Sequence, residues 1–286
     1  MQDIKTGFVD CGGGTRGIFG AGVFDRLMDE GIRPDYFVGV SAGAANGASY
    51  IAGQKGRNYV FYDEYAFRKE YMSWENFRRT GSYIGMEYIY STLSDQGGEY
   101  PLDYKAIAAD HSGFEVVATN ALTGRPIYFM KSDIRQDDYD VIKASCSVPV
   151  LNKPYYIGTI PCYDGGLSDP IPYKRVFRAG MDRVVVVITK PRDFMRTSGK
   201  DRMLSRAIAG KYPKAAEAWA RRGEVYNREL LEVMELEKQG KALIVAPRDI
   251  GKLKTLSQDH EALEDLYRQG YEEGAKVVEF FAQKQG

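Results

Sequence analysis

Apolar and polar residues alternate along this chain in a way that predicts short strands, each followed by a helix. Residues 6–11 and 35–40 are apolar, β-prone runs. Residues 18–30 have the apolar spacing of a helix that ends at Gly31, and residues 42–52 are mostly small residues that predict a second helix. Because strand and helix alternate, this part of the chain favours a parallel sheet covered by helices.

The same alternation continues beyond residue 110. Residues 184–188 are consecutive β-branched residues, which is typical of a strand buried in the middle of a parallel sheet. Further strands are predicted at 114–120, 126–130 and 242–245, a hairpin at 155–163, and further helices at 138–145, 174–179, 224–238 and 260–281.

Two stretches differ from this pattern. Residues 57–92 are rich in aromatic residues mixed with charges, and they either line an apolar ligand pocket or pack as amphipathic helices on the core. Residues 190–222 contain ten Lys or Arg against three Asp or Glu, and they either contact an anionic membrane surface or form a solvated helical face. We therefore predict an α/β core at residues 4–189, with an aromatic-rich insertion at about 57–110, and a mainly helical extension at 190–286.

Composition narrows the classes of protein. The 286 residues include 39 basic and 39 acidic side chains, so no overall field favours binding to nucleic acid. The chain has an odd number of cysteines, Cys11, Cys146 and Cys162, and no C-x-x-C pattern. Neither a disulfide framework nor a structural zinc site is therefore indicated. The N-terminus has no secretory pattern, and the longest strongly apolar run is too short to cross a membrane. We expect a soluble cytoplasmic protein, with peripheral attachment to a membrane left open.

Candidate chemistry begins at the end of the second predicted strand, where Gly39-Val-Ser-Ala-Gly43 leads into a helix of small residues. A serine in a sharp strand–helix turn of this kind has a strained backbone and an exposed hydroxyl. Gly39 and Gly43 are required there because a side chain would collide with the neighbouring strand or helix. The alternative is an ordinary turn in which Ser41 caps the helix.

A second motif, Gly-Gly-Gly-Thr-Arg-Gly at residues 12–17, joins the first predicted strand to the first helix. Free backbone amides at a helix N-terminus form an anion site. The motif formally matches a dinucleotide fingerprint, but the second strand leads to Ser41 and not to an acidic residue that would hold a ribose. A second anion that such a site could bind, besides the phosphates of a dinucleotide, is the oxyanion of an acyl-transfer intermediate. The remaining alternative is a glycine-rich turn that binds no ligand. Arg16 either shapes this loop or is a surface or packing residue.

Together with Asp164-Gly-Gly166 and the block Ala144-Ser-Cys-Ser-Val-Pro149, these motifs resemble the patatin-like phospholipases in order and spacing. The resemblance covers residues 5–177 and is strongest to the bacterial branch with a C-terminal extension. It implies a three-layer α/β/α sandwich with a mainly parallel central sheet, plus a mainly helical C-terminal extension.

The resemblance also implies the roles of individual residues. Ser41 would be the nucleophile and Asp164 its base. The oxyanion hole would comprise Gly12, Gly13, Gly14, Thr15 and Arg16, with backbone amides from Gly13 to Arg16 as donors and Gly12 shaping the turn. The remaining motif glycines are Gly17, Gly39, Gly43, Gly165 and Gly166. No metal or organic cofactor is expected.

The implied activity is hydrolysis of carboxylic esters of phospholipids or lysophospholipids through an acyl-enzyme. The alternatives are a soluble carboxylesterase or thioesterase, a non-catalytic regulatory protein on the same fold, and a dinucleotide-binding protein. We expect a lipid or ester substrate, with contact to a membrane surface left open, and neither a nucleic-acid partner nor a membrane-spanning segment. His111 and His260 lie far in sequence from the motifs, so a Ser-Asp dyad is expected in place of a triad.

Overall fold

The computed structural model describes residues 4–283 and shows an eight-stranded mixed sheet between two layers of helices. The strands are β1 (Thr6–Asp10), β2 (Tyr36–Val40), β3 (Gly113–Asn120), β4 (Pro126–Met130), β5 (Tyr155–Ile157), β6 (Ile160–Asp164), β7 (Arg183–Val187) and β8 (Ala242–Val245). The α-helices are α1 (Ile18–Asp29), α2 (Ala42–Ile51), α3 (Arg57–Asp63), α4 (Trp74–Thr80), α5 (Tyr104–Ala109), α6 (Asp140–Ser145), α7 (Tyr173–Arg178), α8 (Gly199–Ala209), α9 (Pro213–Lys238) and α10 (His260–Ala282).

The sheet has a parallel centre and an antiparallel margin. Its strands are ordered β5-β6-β3-β2-β1-β7-β8, and β4 pairs with β3 outside this path. Strands β3, β2, β1, β7 and β8 run parallel, whereas β4, β5 and β6 pair antiparallel. The predicted α/β/α sandwich with a mainly parallel sheet and a mainly helical C-terminal part is confirmed.

Both faces of the parallel strands are buried. Successive side chains of each such strand point to different helical layers. Phe8 packs with α1, α2 and α10, and the neighbouring Val9 packs with α7 and α9. The first layer is rich in aromatic rings, and Phe8 stacks on Phe37 of the next strand with ring centroids 6.4 Å apart. This two-sided burial explains the continuous apolar runs seen in the strand sequences.

Of the two long C-terminal helices, α9 differs from the sequence-based prediction and α10 agrees with it. Helix α9 begins at Pro213, eleven residues before the predicted start at Glu224. The first turns of α9 bury Ala216 and Trp219, and basic side chains lie between these apolar positions in the sequence. The basic residues hid the apolar spacing by which a helix is recognised. Helix α10 packs closely on α1, because Gly22 and Gly270 let each helix approach the backbone of the other.

The chain between β8 and α10 therefore returns to the N-terminal part of the molecule, where Thr255 contacts the glycine-rich loop. In the described residues, no helix is long and apolar enough to cross a membrane.

Candidate active site

Ser41 lies in a sharp turn between β2 and α2. Its backbone has φ 56° and ψ −130°, a conformation that non-glycine residues rarely adopt and that costs free energy. Gly39 and Gly43 make the turn possible: a Cβ at Gly39 would collide with the backbone of Ala44, and one at Gly43 with the backbone of Asp10. Within residues 4–283 the Ser41 side chain caps no helix, so the alternative of a capping serine does not describe this turn.

The register of β3 brings Asp164 beside Ser41. Strand β2 pairs with β3 as far as Val40, which lies opposite Val117. Strand β6 continues along the same edge of β3, with Asp164 opposite Ala118. The residue after β2 and the last residue of β6 therefore meet at one point, although 123 positions separate them in the sequence.

The Asp164 carboxylate is buried and is surrounded by groups that favour its ionised form. Burial raises the pKa of Asp164, and a hydrogen bond from the Ser41 hydroxyl opposes this shift. The Gly166 amide also donates a hydrogen bond to the carboxylate, at 2.8 Å. The positive charges of Arg222 and Arg196 lower the same pKa further. A buried carboxylate and the Ser41 hydroxyl that acts on its pKa therefore line the same cavity.

In the glycine-rich loop, two backbone amides remain open. The amide of Gly12 donates to Asp10 at 2.9 Å, and that of Thr15 donates to the Thr255 carbonyl at 2.8 Å. Among residues 4–283, the amides of Gly13 and Gly14 have no hydrogen-bond acceptor. All three glycines have positive φ, and a Cβ at Gly14 would collide with the Thr255 carbonyl. This backbone conformation requires glycine.

Arg16 is buried beneath this loop and connects it to two other segments. Its Nε donates to the Thr189 carbonyl at 3.2 Å, and its Nη1 donates to the Thr255 hydroxyl at 3.3 Å. Burial, together with the charges of Arg196 and Arg222, lowers the pKa of Arg16 to about 10. Arg16 therefore holds the loop in place, and it is not a surface residue.

The block Ala144–Pro149, which supported only the family resemblance in the sequence, holds the site together. The Ser41 amide donates to the Ser145 hydroxyl at 2.8 Å, and this hydroxyl donates to the Val117 carbonyl at 2.6 Å. The Asp164 amide donates to the Ser147 carbonyl at 2.9 Å. Two serines of one short segment thus fix the backbone of both Ser41 and Asp164, a role that the sequence pattern did not reveal.

Ser41 and Asp164 open into a cavity of about 780 Å³. One part of its wall is apolar and comes largely from the aromatic-rich insertion and the segment after α6; it includes Phe61, Tyr62, Tyr71, Met72, Ile84, Met86, Ile89, Tyr90, Val148 and Leu151. Another part comes from residues after β7 and carries Lys190, Arg196, Lys200 and Arg222. The insertion therefore lines a pocket, although Trp74 and Phe77 within it remain exposed.

Neither histidine lines this cavity. His111 is exposed on the surface before β3. The side chain of His260 is 62% exposed, stacks on Phe67 with ring centroids 3.6 Å apart, and lies 3.1 Å from Asp63. The interpretation of both histidines as residues outside the site agrees with these positions.

Comparison with known proteins identifies relatives of this chain, and the matched residues include Ser41 and Asp164. The family model for patatin-like phospholipase matches residues 9–177, and a model for a domain of unknown function, DUF6363, matches residues 212–283. The uncharacterized protein YjjU of Escherichia coli (strain K12) is 32% identical over 196 residues, which are 67% of this chain and 54% of that protein.

An uncharacterized NTE family protein of Mycobacterium tuberculosis is 27% identical over 199 residues, which are 68% of this chain and 31% of that protein. The chain thus matches about half or less of the length of these curated relatives. Among solved structures, VipD from Legionella pneumophila is similar with a TM-score of 0.47 at 13% identity, covering 97% of this chain and 67% of that one.

Proposed function

Because this chain belongs to the patatin-like phospholipase family, we propose that it is a lipid acyl hydrolase that cleaves carboxylic esters of phospholipids or lysophospholipids. The observation that carries the proposal is that β2 and β6 meet on one edge of β3, which places Ser41 and Asp164 together at the wall of a large, partly apolar cavity. The open amides of Gly13 and Gly14 on the same wall support it, because they can receive the negative charge of an acyl-transfer intermediate.

In the proposed reaction, the Ser41 hydroxyl oxygen attacks the ester carbonyl while Asp164 accepts its proton. The amides of Gly13 and Gly14 donate hydrogen bonds to the carbonyl oxygen as it becomes an oxyanion. The tetrahedral intermediate collapses, the ester carbon–oxygen bond breaks, and the leaving alkoxide takes the proton from Asp164. Water then attacks the acyl-Ser41 ester with Asp164 again as base, and this step releases the fatty acid and restores Ser41.

The apolar part of the wall suits the acyl chain. Its rings and aliphatic side chains remove a hydrocarbon chain from water without leaving polar groups unpaired. An acyl chain of lipid length gains more from such a wall than a short acyl group does, which favours a lipid hydrolase over a short-chain esterase. We therefore expect the rate to rise above the critical micelle concentration of a lysophospholipid substrate, and a rate that is insensitive to it would favour the soluble esterase.

The test is covalent labelling. A fluorophosphonate probe followed by peptide mapping should label Ser41, and Ser41→Ala should abolish both labelling and hydrolysis. Asp164→Asn should leave a folded protein with almost no hydrolytic activity, whereas Ser132→Ala, in an exposed turn, should behave as the unmodified chain. Labelling at another serine would overturn the site, and a folded, unlabelled and inactive chain would favour the non-catalytic alternative.

A further inference from the structure

Basic side chains form one part of the cavity wall. We call Lys190, Arg196, Lys200 and Arg222 the basic wall; all four line the cavity that also contains Ser41. They belong to the segment after β7 and to helices α8 and α9. Part of the basic stretch at residues 190–222 therefore faces the proposed reaction site and not solvent alone.

In the described residues, one member of the basic wall has a carboxylate partner and three have none within ion-pair distance. Arg222 binds Asp201 through two hydrogen bonds, of 3.0 and 2.6 Å. In residues 4–283, no carboxylate lies within ion-pair distance of Lys190, Arg196 or Lys200. In the part of the chain that the structure describes, the wall therefore presents two half-buried cations, Lys190 and Arg196, and the exposed Lys200 without a carboxylate partner. Unpaired charges at a partly desolvated surface are costly, so such a cluster indicates an anionic ligand.

Arg196 is held in place through both its backbone and its side chain. The Asn227 side chain accepts a hydrogen bond from its amide at 2.8 Å and donates one to its carbonyl at 3.0 Å. Its guanidinium lies over the ring of Tyr226, 4.4 Å from the centroid. Its Nε is buried and lacks a hydrogen-bond partner among the described residues. The side chain is thus fixed in position with an unused donor.

Lys190 and Arg196 are close enough to act on one another, and Arg196 and Arg222 are close enough to act on the proposed base. Burial lowers the pKa of Lys190, and the charges of Arg16 and Arg196 lower it further. The charges of Arg222 and Arg196 also lower the pKa of Asp164. The basic wall and the Ser41–Asp164 contact therefore share one electrostatic environment, and an anion bound at the wall would lie near the reacting ester.

We propose that the basic wall binds the phosphate group of a glycerophospholipid substrate while its ester lies at Ser41 and its acyl chain lies against the apolar wall. Only the glycerol unit separates the phosphate from the acyl ester in such a lipid, so one molecule can reach both regions. Arginine and lysine bind phosphate oxygens through charge-assisted hydrogen bonds. The inference deepens the proposed function and rests on it.

The experiment compares two substrates that differ only in the phosphate: oleoyl lysophosphatidic acid and monooleoylglycerol. The unmodified chain should show a kcat/KM at least about tenfold higher for the phosphorylated substrate, as expected for the loss of one or two charge-assisted hydrogen bonds. Arg196→Gln and Lys190→Gln/Lys200→Gln should each lower kcat/KM for lysophosphatidic acid by about tenfold or more. Because Arg196 also acts on Asp164, the deciding quantity is the ratio of kcat/KM for lysophosphatidic acid to kcat/KM for monooleoylglycerol, measured for each variant at one pH. This ratio should fall by about tenfold or more in both variants.

Arg221→Gln is the matched control, because Arg221 precedes Arg222 on α9 but is exposed and near Glu224. It should leave both substrates unchanged. Arg196→Lys should restore part of the discrimination, since it keeps the charge and loses the planar fork. Melting temperatures of all variants show whether a loss reflects unfolding.

Competition by inorganic phosphate distinguishes a wall that binds the phosphate of a lipid from a wall that binds a free anion. In the proposed case it competes weakly with lysophosphatidic acid, and Arg196→Gln removes the competition. If inorganic phosphate binds through Arg196 but the unmodified chain hydrolyses both substrates equally, the wall serves a free anion and the inference is wrong. If neither substrate is hydrolysed, the proposed function fails, and Arg196-dependent binding of lysophosphatidic acid to Ser41→Ala still decides the inference.

Discussion

The surroundings of Asp164 determine how the proposed dyad should respond to pH. Asp164 acts as a base only when ionised, so activity is lost as the pH falls through its pKa. Burial raises this pKa above its ordinary value of 3.8, whereas the Ser41 hydroxyl, the Gly166 amide and the cations Arg222 and Arg196 oppose the rise. The acid limb of kcat/KM should therefore lie above that of an exposed aspartate.

Removing one of these cations should shift the acid limb. In Arg222→Gln the carboxylate loses an attractive charge, so the pKa of Asp164 rises and the limb moves to higher pH. A pH profile of kcat/KM with monooleoylglycerol tests this, since the substrate carries no titrating group. Arg221→Gln serves as the control. An unmoved limb, or one shifted to lower pH, would contradict the assignment of the limb to Asp164.

The two histidines give a second prediction at the residue scale. Since neither lines the cavity, His111→Gln/His260→Gln should retain most of the hydrolytic activity, whereas Ser41→Ala and Asp164→Asn should each retain almost none. Initial rates of the folded variants with one lysophospholipid decide the matter. A folded double variant as inactive as Ser41→Ala would exclude the dyad and require a triad.

Gly14 gives a third prediction. Its φ of +63° and its contact with the Thr255 carbonyl leave no room for a side chain. Gly14→Ala should displace an oxyanion donor and lower kcat by roughly 10²-fold or more. Gly31→Ala is the matched control, because Gly31 has a φ of +66°, open surroundings and a position at the end of α1. Near-normal turnover by a folded Gly14→Ala variant would remove this amide from the mechanism.

At the scale of elements, the segment between β8 and α10 supports the glycine-rich loop from outside the N-terminal motifs. The Thr255 carbonyl accepts a hydrogen bond from the Thr15 amide, and the Thr255 hydroxyl accepts one from Arg16. This leaves Gly13 and Gly14 as the open donors. The Thr15 amide is therefore not among the donors that we propose for the oxyanion, and its partner lies in a segment about 240 residues away in the chain.

The packing of α10 on α1 determines where this segment lies, and it can be tested. A Cβ at Gly270 would collide with the Phe19 carbonyl, so Gly270→Ala should lower the free energy of unfolding by about 1–3 kcal/mol, a typical cost of overpacking. Gly210→Ala, at the end of α8 with open surroundings, should change it little. Thermal or denaturant unfolding measures both. Equal stability of the two variants would show that α10 can move away from α1 at little cost.

At the scale of the whole molecule, N-terminal and C-terminal elements share one sheet and one core. Strand β8 pairs with β7, with Val245 opposite Val187. Helix α10 contributes Leu263 and Val277 to the core cluster that contains Phe8. We expect a single cooperative unfolding transition, with calorimetric and van't Hoff enthalpies in agreement. Two separate transitions, or a C-terminal part that melts before the sheet, would contradict this expectation.

The whole-chain charge illustrates why totals are a poor guide to sites. The chain has no net charge, yet Lys190, Arg196 and Lys200 lie on one cavity wall and have no carboxylate partner within residues 4–283. Composition averages over the surface, whereas a ligand experiences only the charges within a Debye length or less.

The sequence by itself determined the alternation of strands and helices, the turn at Ser41 and the need for glycine at Gly39, Gly43 and the triple-glycine loop. These features are local: they follow from apolar periodicity and from the few backbone conformations that each residue type can adopt. For this reason the bounds of β8 and of helices α1, α2 and α10 agree with the prediction to within one residue.

The tertiary structure alone decided which groups meet. The pairing of Val40 with Val117 and of Asp164 with Ala118 brings the serine and the aspartate together, and no local pattern encodes a strand register. The occupied Thr15 amide and the basic wall likewise depend on long-range packing of α9 and α10. Local sequence specifies conformation, because neighbouring atoms restrict it sterically, but contacts between distant residues arise only when the whole core excludes water and closes.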